Sequence, residues 1–153
     1  MGEQADKVRA QPDALMGAVV RDLTLEVAAN LIQECPVDTG HARRNMVPSI
    51  GAPHEGEDDG AAQAAGQAEV LTYRIGQGDA YVVNNVPYIG RLILGSSAQA
   101  PAGWDLVAVD RAQQTIQGRY GGARIEVGVD VSSRGAGAAA GIAGAYSPFG
   151  GEE

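Results

Sequence analysis

The sequence predicts an α+β fold: a long N-terminal helix and one or two shorter helices packed on a small, mainly antiparallel sheet, with flexible termini. Three patterns carry that expectation. Apolar side chains recur at Leu15, Val19, Leu23, Val27 and Leu31, the spacing of one helical face. Asp79-Ala80-Tyr81-Val82-Val83-Asn84 is β-branched and aromatic, as strands favour. Ile125, Val127, Val129 and Val131 alternate with Glu126, Gly128 and Asp130, the period of a half-buried strand.

In chain order, residues 1–11 are charged and without periodicity, and read as a flexible arm. Pro12 suits the first position of the long helix, because its missing N–H has no partner there anyway. Pro36 ends that helix at about Glu34 or Cys35, since it offers no donor and clashes with the preceding turn. Asp38 or Thr39 then accepts from N–H groups two or three residues on, opening a short turn over His41 to Arg44, and Gly40 permits a positive φ or a close approach. Residues 45–51 read as an edge strand, because Pro48 removes a ladder donor. Residues 52–60 are acidic and turn-rich, hence a surface loop.

A helix over 61–75 follows, weakened by Gly66 and ended by Gly76-Gln77-Gly78. After the strand at 79–84, Asn84-Asn85-Val86-Pro87 turns the chain, and 88–94 either extends the sheet or crosses over it. Residues 95–103 are a loop of small residues. Trp104, Val107, Ala108, Arg111 and Thr115 space as a helix that stops before Gly118. A strand over 124–131 completes a single domain spanning 12–131, and the Gly/Ala-rich tail at 132–153 is too weakly apolar to fold alone.

At 153 residues the chain is long enough for one core. Its net charge of −8, with 11 basic residues that never cluster, argues against wrapping nucleic acid, which needs concentrated Lys and Arg. A single cysteine, Cys35, rules out an intramolecular disulfide, and its bland reading is a small buried side chain. No 18-residue apolar run or signal-peptide pattern occurs, so neither a membrane span nor secretion is expected, and a cytoplasmic origin fits.

Residues with reactive chemistry are sparse. His41, His54 and Cys35 never come into ligand spacing, and Glu55, Glu57, Asp58 and Asp59 lack the spacing of a calcium loop, so no metal is expected. Gly76-Gln77-Gly78 lacks the third glycine and the strand-to-helix order of a phosphate loop, so no cofactor is expected either. The sharpest enzyme motif is Asp38-Thr39-Gly40, the tripeptide that carries the catalytic carboxylate of aspartic proteases. With one copy, the chain would have to dimerise so that two carboxylates share a proton, and Ile89-Gly90-Arg91 is similar to a later stretch of the retroviral-type enzymes. In those enzymes, however, the motif ends a hydrophobic strand, whereas here a polar helix end and Pro36 precede it. The expectation is therefore a non-enzyme with no catalytic residue, with a homodimeric aspartic protease as the alternative.

Three ordered motifs remain. They are Pro36-Val37-Asp38-Thr39-Gly40 with Arg43 and Asn45, then Asn84-Asn85-Val86-Pro87-Tyr88-Ile89 with Leu92, then Gly95-Ser96-Ser97 with Gln99-Ala100-Pro101-Ala102-Gly103. Together they resemble the tail-completion or neck proteins of long-tailed bacteriophages over residues 12–118. Ile93 departs from that pattern, which usually has a polar or acidic residue there.

The resemblance implies a virion subunit at the junction of tail tube and head connector, assembled in the host cytoplasm. It would form a homo-oligomeric ring, six-fold by analogy, touching tail-tube, terminator or head-connector proteins. DNA would pass through the lumen without specific binding, which an acidic wall favours. Tyr146 and Phe149, in an otherwise featureless tail, are the expected assembly anchors.

Overall fold

The computed structural model describes residues 2–37, 39–95, 98–121, 124–129 and 143–147, with the main chain alone at 2–12, 124, 126 and 143–147. In order, the elements are α1 (Gly2–Glu34), α2 (His41–Arg44), β1 (Val47–Ile50), α3 (Ala61–Leu71), β2 (Ala80–Val83), α4 (Ile89–Ile93), α5 (Trp104–Arg119), β3 (Arg124–Gly128) and β4 (Ala143–Ser147). The fold is α+β, as expected, with two separate antiparallel pairs, β1–β2 and β3–β4.

The core is the seam between α1 and α5. Val19, Leu23, Val27 and Leu31 of α1 are buried, as the periodicity predicted, whereas Leu15 is half exposed. Opposite them the buried stripe of α5 is Trp104, Ala108, Ala112 and Ile116, each one turn apart. The two alanines let the helices approach closely. Val107, expected on this stripe, instead faces solvent. Polar contacts along the seam run in opposite senses: Tyr120 Oη donates to Asp22 at 2.5 Å, Asn30 Nδ2 donates to the Ala108 carbonyl at 3.1 Å, and Arg111 pairs with Glu34 at 2.9 Å. The helices are therefore antiparallel. Asp105, in the first turn of α5, is 2 % exposed, and neither of its carboxylate oxygens has a hydrogen-bond partner among the described residues.

Several boundaries differ from expectation. Helix α1 does not begin at Pro12 but continues to Gly2, where the good helix formers Glu3, Gln4, Ala5, Lys7 and Arg9 carry it past the donor and the turn contact that Pro12 costs. Helix α3 stops at Leu71 rather than Ile75, and buried Tyr73 turns away to donate from its hydroxyl to the Gly78 carbonyl at 3.2 Å. The segment 88–94 neither extends the sheet nor crosses it. It forms the short helix α4, because its buried residues, Ile89 and Ile93, recur every four positions rather than every two. Ile93 is thus a core position. Strand β4 lies within the stretch read as a tail; its main chain pairs with β3, placing Tyr146 opposite Ile125.

The edge strand β1 forms where Pro48 predicted it, paired to β2 in the register Val47↔Val83 to Ile50↔Ala80. Helix α3 lies directly on it. A Cβ at Gly66 would sit 1.9 Å from the Pro48 carbonyl oxygen, so glycine is there for a close approach and the weakening of the helix is its consequence. Helix propensity alone would make Gly66→Ala more stable by about 1 kcal/mol. We expect the opposite sign, a loss of about 3 kcal/mol from overpacking, read as a lowered midpoint in urea unfolding.

Candidate functional site

Helix α2 is a single turn, too short to satisfy its carbonyls in full, although that of Ala42 accepts from the Asn45 N–H at 3.1 Å. Three side-chain amides from three different segments supply the donors. Asn45 Nδ2 donates to the His41 carbonyl at 2.8 Å, Asn84 Nδ2 to the Ala42 carbonyl at 2.8 Å, and Gln63 Nε2 to the Arg43 carbonyl at 2.9 Å. Asn45 and Asn84 are each 1 % exposed. Asn84 Oδ1 also accepts from the Val86 N–H at 3.1 Å, which turns the chain toward α4. At the other side of α2, Thr39 Oγ1 accepts from the His41 N–H at 3.3 Å and Gly40 has φ +82°, as its residue type suggested. The alternative cap, Asp38, lies outside the described residues.

The same residues tie down the acidic loop. Asn45 accepts from the Asp58 N–H and donates to the Asp58 carbonyl, both at 3.0 Å, while Asn85 Nδ2 donates to the carbonyls of His54 at 2.8 Å and Gly56 at 3.2 Å. His41 Nε2 lies 3.0 Å from Glu57. Asp58 then accepts from the N–H groups of Gly60 and Ala62, opening α3, and these bonds hold its carboxyl below the ordinary aspartate value. The loop read as merely solvated is a clasped one.

Arg43 closes the end of α1, donating from Nη2 to the carbonyls of Gln33 at 3.2 Å and Cys35 at 2.9 Å. Burial pushes the Cys35 thiol up to about 11, against a smaller opposing pull from Arg43, so it stays protonated and unreactive at neutral pH.

Between the 36–42 turn and α4 lies a cleft of about 480 Å³. Pro36, Val37 and Ala42 form one wall and Tyr88 and Leu92 the other, with Thr39, Gly40, His41 and Gln99 completing the lining. Gln99 bridges the mouth: its Oε1 accepts from the Val37 N–H at 2.8 Å and its Nε2 donates to the Val37 carbonyl at 2.6 Å, as a strand neighbour would. All three sequence motifs thus contribute to one surface.

Placement of the remaining expected residues divides them. Ala100 is buried, Pro87 and Pro101 are exposed, and Gly95 has φ +93°, where a Cβ would lie 3.1 Å from the Ala102 nitrogen. Ser97 and Phe149 lie outside the described residues, as does the Tyr146 side chain. Sequence reasoning missed Gln63, His41, Ala42 and the Asn45–Asp58 clasp; no periodicity or motif marks residues whose partners lie 13 to 20 positions away.

Among the described residues no group of His, Cys, Asp and Glu could hold a metal ion, and no helix is long and apolar enough to cross a membrane. Gly40 and Thr39 lie in a turn between two helices, not at the end of a strand. A scan of protein-family models, a search of curated proteins and a search of solved structures each found no match.

Two outcomes follow from this geometry. Asn45→Ala orphans the Asp58 N–H and the His41 carbonyl together, for an expected loss of about 3 kcal/mol in urea unfolding and faster amide exchange at residues 58–62. For Asp58 the folded-state pKa is depressed, so its contribution is fully present above the ordinary 3.8 and disappears as pH falls through the lower folded value. Acid titration of the urea midpoint should therefore show a decline below pH 3.8 that is smaller in Asp58→Asn.

Proposed function

We propose that this protein is a structural virion subunit of the phage neck, a tail-completion or terminator-type protein whose copies form a ring joining the tail tube to the head connector. One observation carries the reading. The three motif segments that resemble the family, separated by up to 62 positions, meet at a single cleft, and Gln99 fastens the third motif to the first through both polar groups of Val37. A chain that needed these segments only for local turns would have no reason to bring them together.

The chemistry of the cleft supports recognition rather than turnover. Its lining is apolar with a polar mouth, and the side chains nearest to reactive are engaged: His41 with Glu57, Cys35 buried and protonated. Ring formation follows from contacts between unlike surfaces that close after a fixed rotation, and six-fold closure is the expectation by family analogy. An acidic chain with charge −8 suits a lumen through which DNA slides, because like charges do not hold phosphate. Tail-tube, terminator and connector proteins are the proposed neighbours.

Electron microscopy of the purified protein, alone and mixed with isolated tails, tests this directly. Rings, or density capping the tail end, are expected. A protein that stays monomeric in the presence of tails and is missing from purified particles would overturn the reading. Peptide cleavage that Asp38→Asn abolishes would replace it with the protease alternative.

A further inference from the structure

We propose that the cleft between the 36–42 turn and α4 receives Pro148-Phe149 of a second copy of this chain, so that each copy's C-terminal segment enters its neighbour's cleft. The inference rests on the ring reading and names the contact that would build the ring.

The cleft calls for an apolar occupant. Its two walls, Pro36, Val37 and Ala42 against Tyr88 and Leu92, are apolar, and a concave apolar surface of about 480 Å³ has room for an aromatic side chain and a proline beside it. The chain has one such segment to spare. Its buried aromatic residues, Tyr73 and Trp104, are used in the core and Tyr88 lines the cleft itself. The only Phe, Phe149, stands in Pro-Phe-Gly-Gly-Glu-Glu, where proline limits the backbone before the ring and two glycines let the main chain pass closely after it.

Reach decides that the donor is another copy. Ser147 pairs with Arg124, and the neighbouring Ile125 carbonyl is held by Gln113 at 2.7 Å. Gln113 sits on α5 between the level of Asp22, opposite Arg119, and that of Asn30, opposite Ala108. The Leu92 wall of the cleft is tied to the start of α5, where Trp104 Nε1 donates to the Leu92 carbonyl at 2.9 Å, and Gln113 lies nine residues further along that helix, roughly 13 Å at the helical rise. Two residues of extended chain from Ser147 to Phe149 cover only about 7 Å. The chain's own cleft is out of range, whereas a neighbour's is not.

Charge agrees with this pairing. Arg44 places Nη1 3.4 Å from the Thr39 carbonyl at the cleft, and exposed Arg91 adjoins Leu92 on α4. Glu152 and Glu153 follow Phe149 by three and four residues and would meet these guanidinium groups. Glu57, which reaches the cleft residue His41, is engaged by it at 3.0 Å.

The test titrates a synthetic peptide of residues 147–153 onto full-length Phe149→Ala protein, whose cleft is intact. Saturable binding is expected, weakened at least about tenfold when the peptide carries Ala in place of Phe, as for an aromatic anchor. Failure of the wild-type peptide to bind, or equal binding of both peptides, overturns the proposal. Sedimentation of full-length chains then separates neighbour from self: Phe149→Ala and Leu92→Glu should each fail to associate alone, yet form dimers when mixed, because one retains a cleft and the other a tail. A mixture that stays monomeric overturns the proposal.

Should Leu92→Glu unfold by circular dichroism, the exposed Arg91→Glu takes its place, with weakened binding of the wild-type peptide and recovery by a peptide carrying Glu152→Arg and Glu153→Arg. Absence of both effects counts against the contact. Because peptide binding does not require a ring, rings without peptide binding reject this contact and keep the ring reading. Peptide binding without rings does the reverse.

Discussion

A buried main-chain carbonyl must find a donor, and around α2 that requirement organises half the molecule. One helical turn satisfies few of its own carbonyls, that of Ala42 from the Asn45 N–H, and this one is pressed against the end of α1 where water does not reach Ala42. The donors come from Asn45 immediately after it, Gln63 in α3 and Asn84 after β2. Each amide therefore fixes the position of a different element relative to α2. The β1–β2 pair, α3 and the approach to α4 are oriented by polar groups that tolerate little displacement, since a lost partner leaves a desolvated carbonyl worth about 1–3 kcal/mol.

The cleft is a by-product of that arrangement. Holding α2 beneath the Asn84 turn sets α4 alongside the 36–42 segment with a gap between them, and the Gln99 amide closes one end of it. Rigid walls made of main chain and short side chains are well suited to recognising shape. Here His41 is paired with Glu57, and the thiol below is held neutral by burial.

How much could be read beforehand varied with the range of the interaction. Several local signals held: Pro36 ended α1, Gly40 took its positive φ, Pro48 marked an edge strand, and the α1 stripe from Val19 to Leu31 is the core, whereas Pro12 did not start α1 and α5 runs through Gly118 to Arg119 because its buried stripe reaches Ile116. Signals that mix periods misled. Residues 88–94 carry apolar side chains at too many positions to choose between two periods, and only burial of Ile89 and Ile93 against α5 selects the helix. On α5, Ala108 and Ala112 mark the seam more faithfully than Val107, because close helix packing rewards small residues that hydrophobicity underrates. Of the motif residues, Val37, Tyr88, Leu92 and Gln99 meet at the cleft, yet the clasp of the acidic loop by Asn45 and Asn85 had no mark in the sequence.

By itself the sequence determined the fold class, the end of α1 before Pro36 and the order of the three motifs, because these rest on backbone sterics and on side-chain spacing within a few residues. Tertiary structure alone decided that the motifs share one cleft, that Gly66 is a contact point and that Asn45, Gln63 and Asn84 serve the same short helix. Those facts depend on which distant main-chain groups lose their water on folding, and no local pattern encodes a partner 20 or 42 residues away.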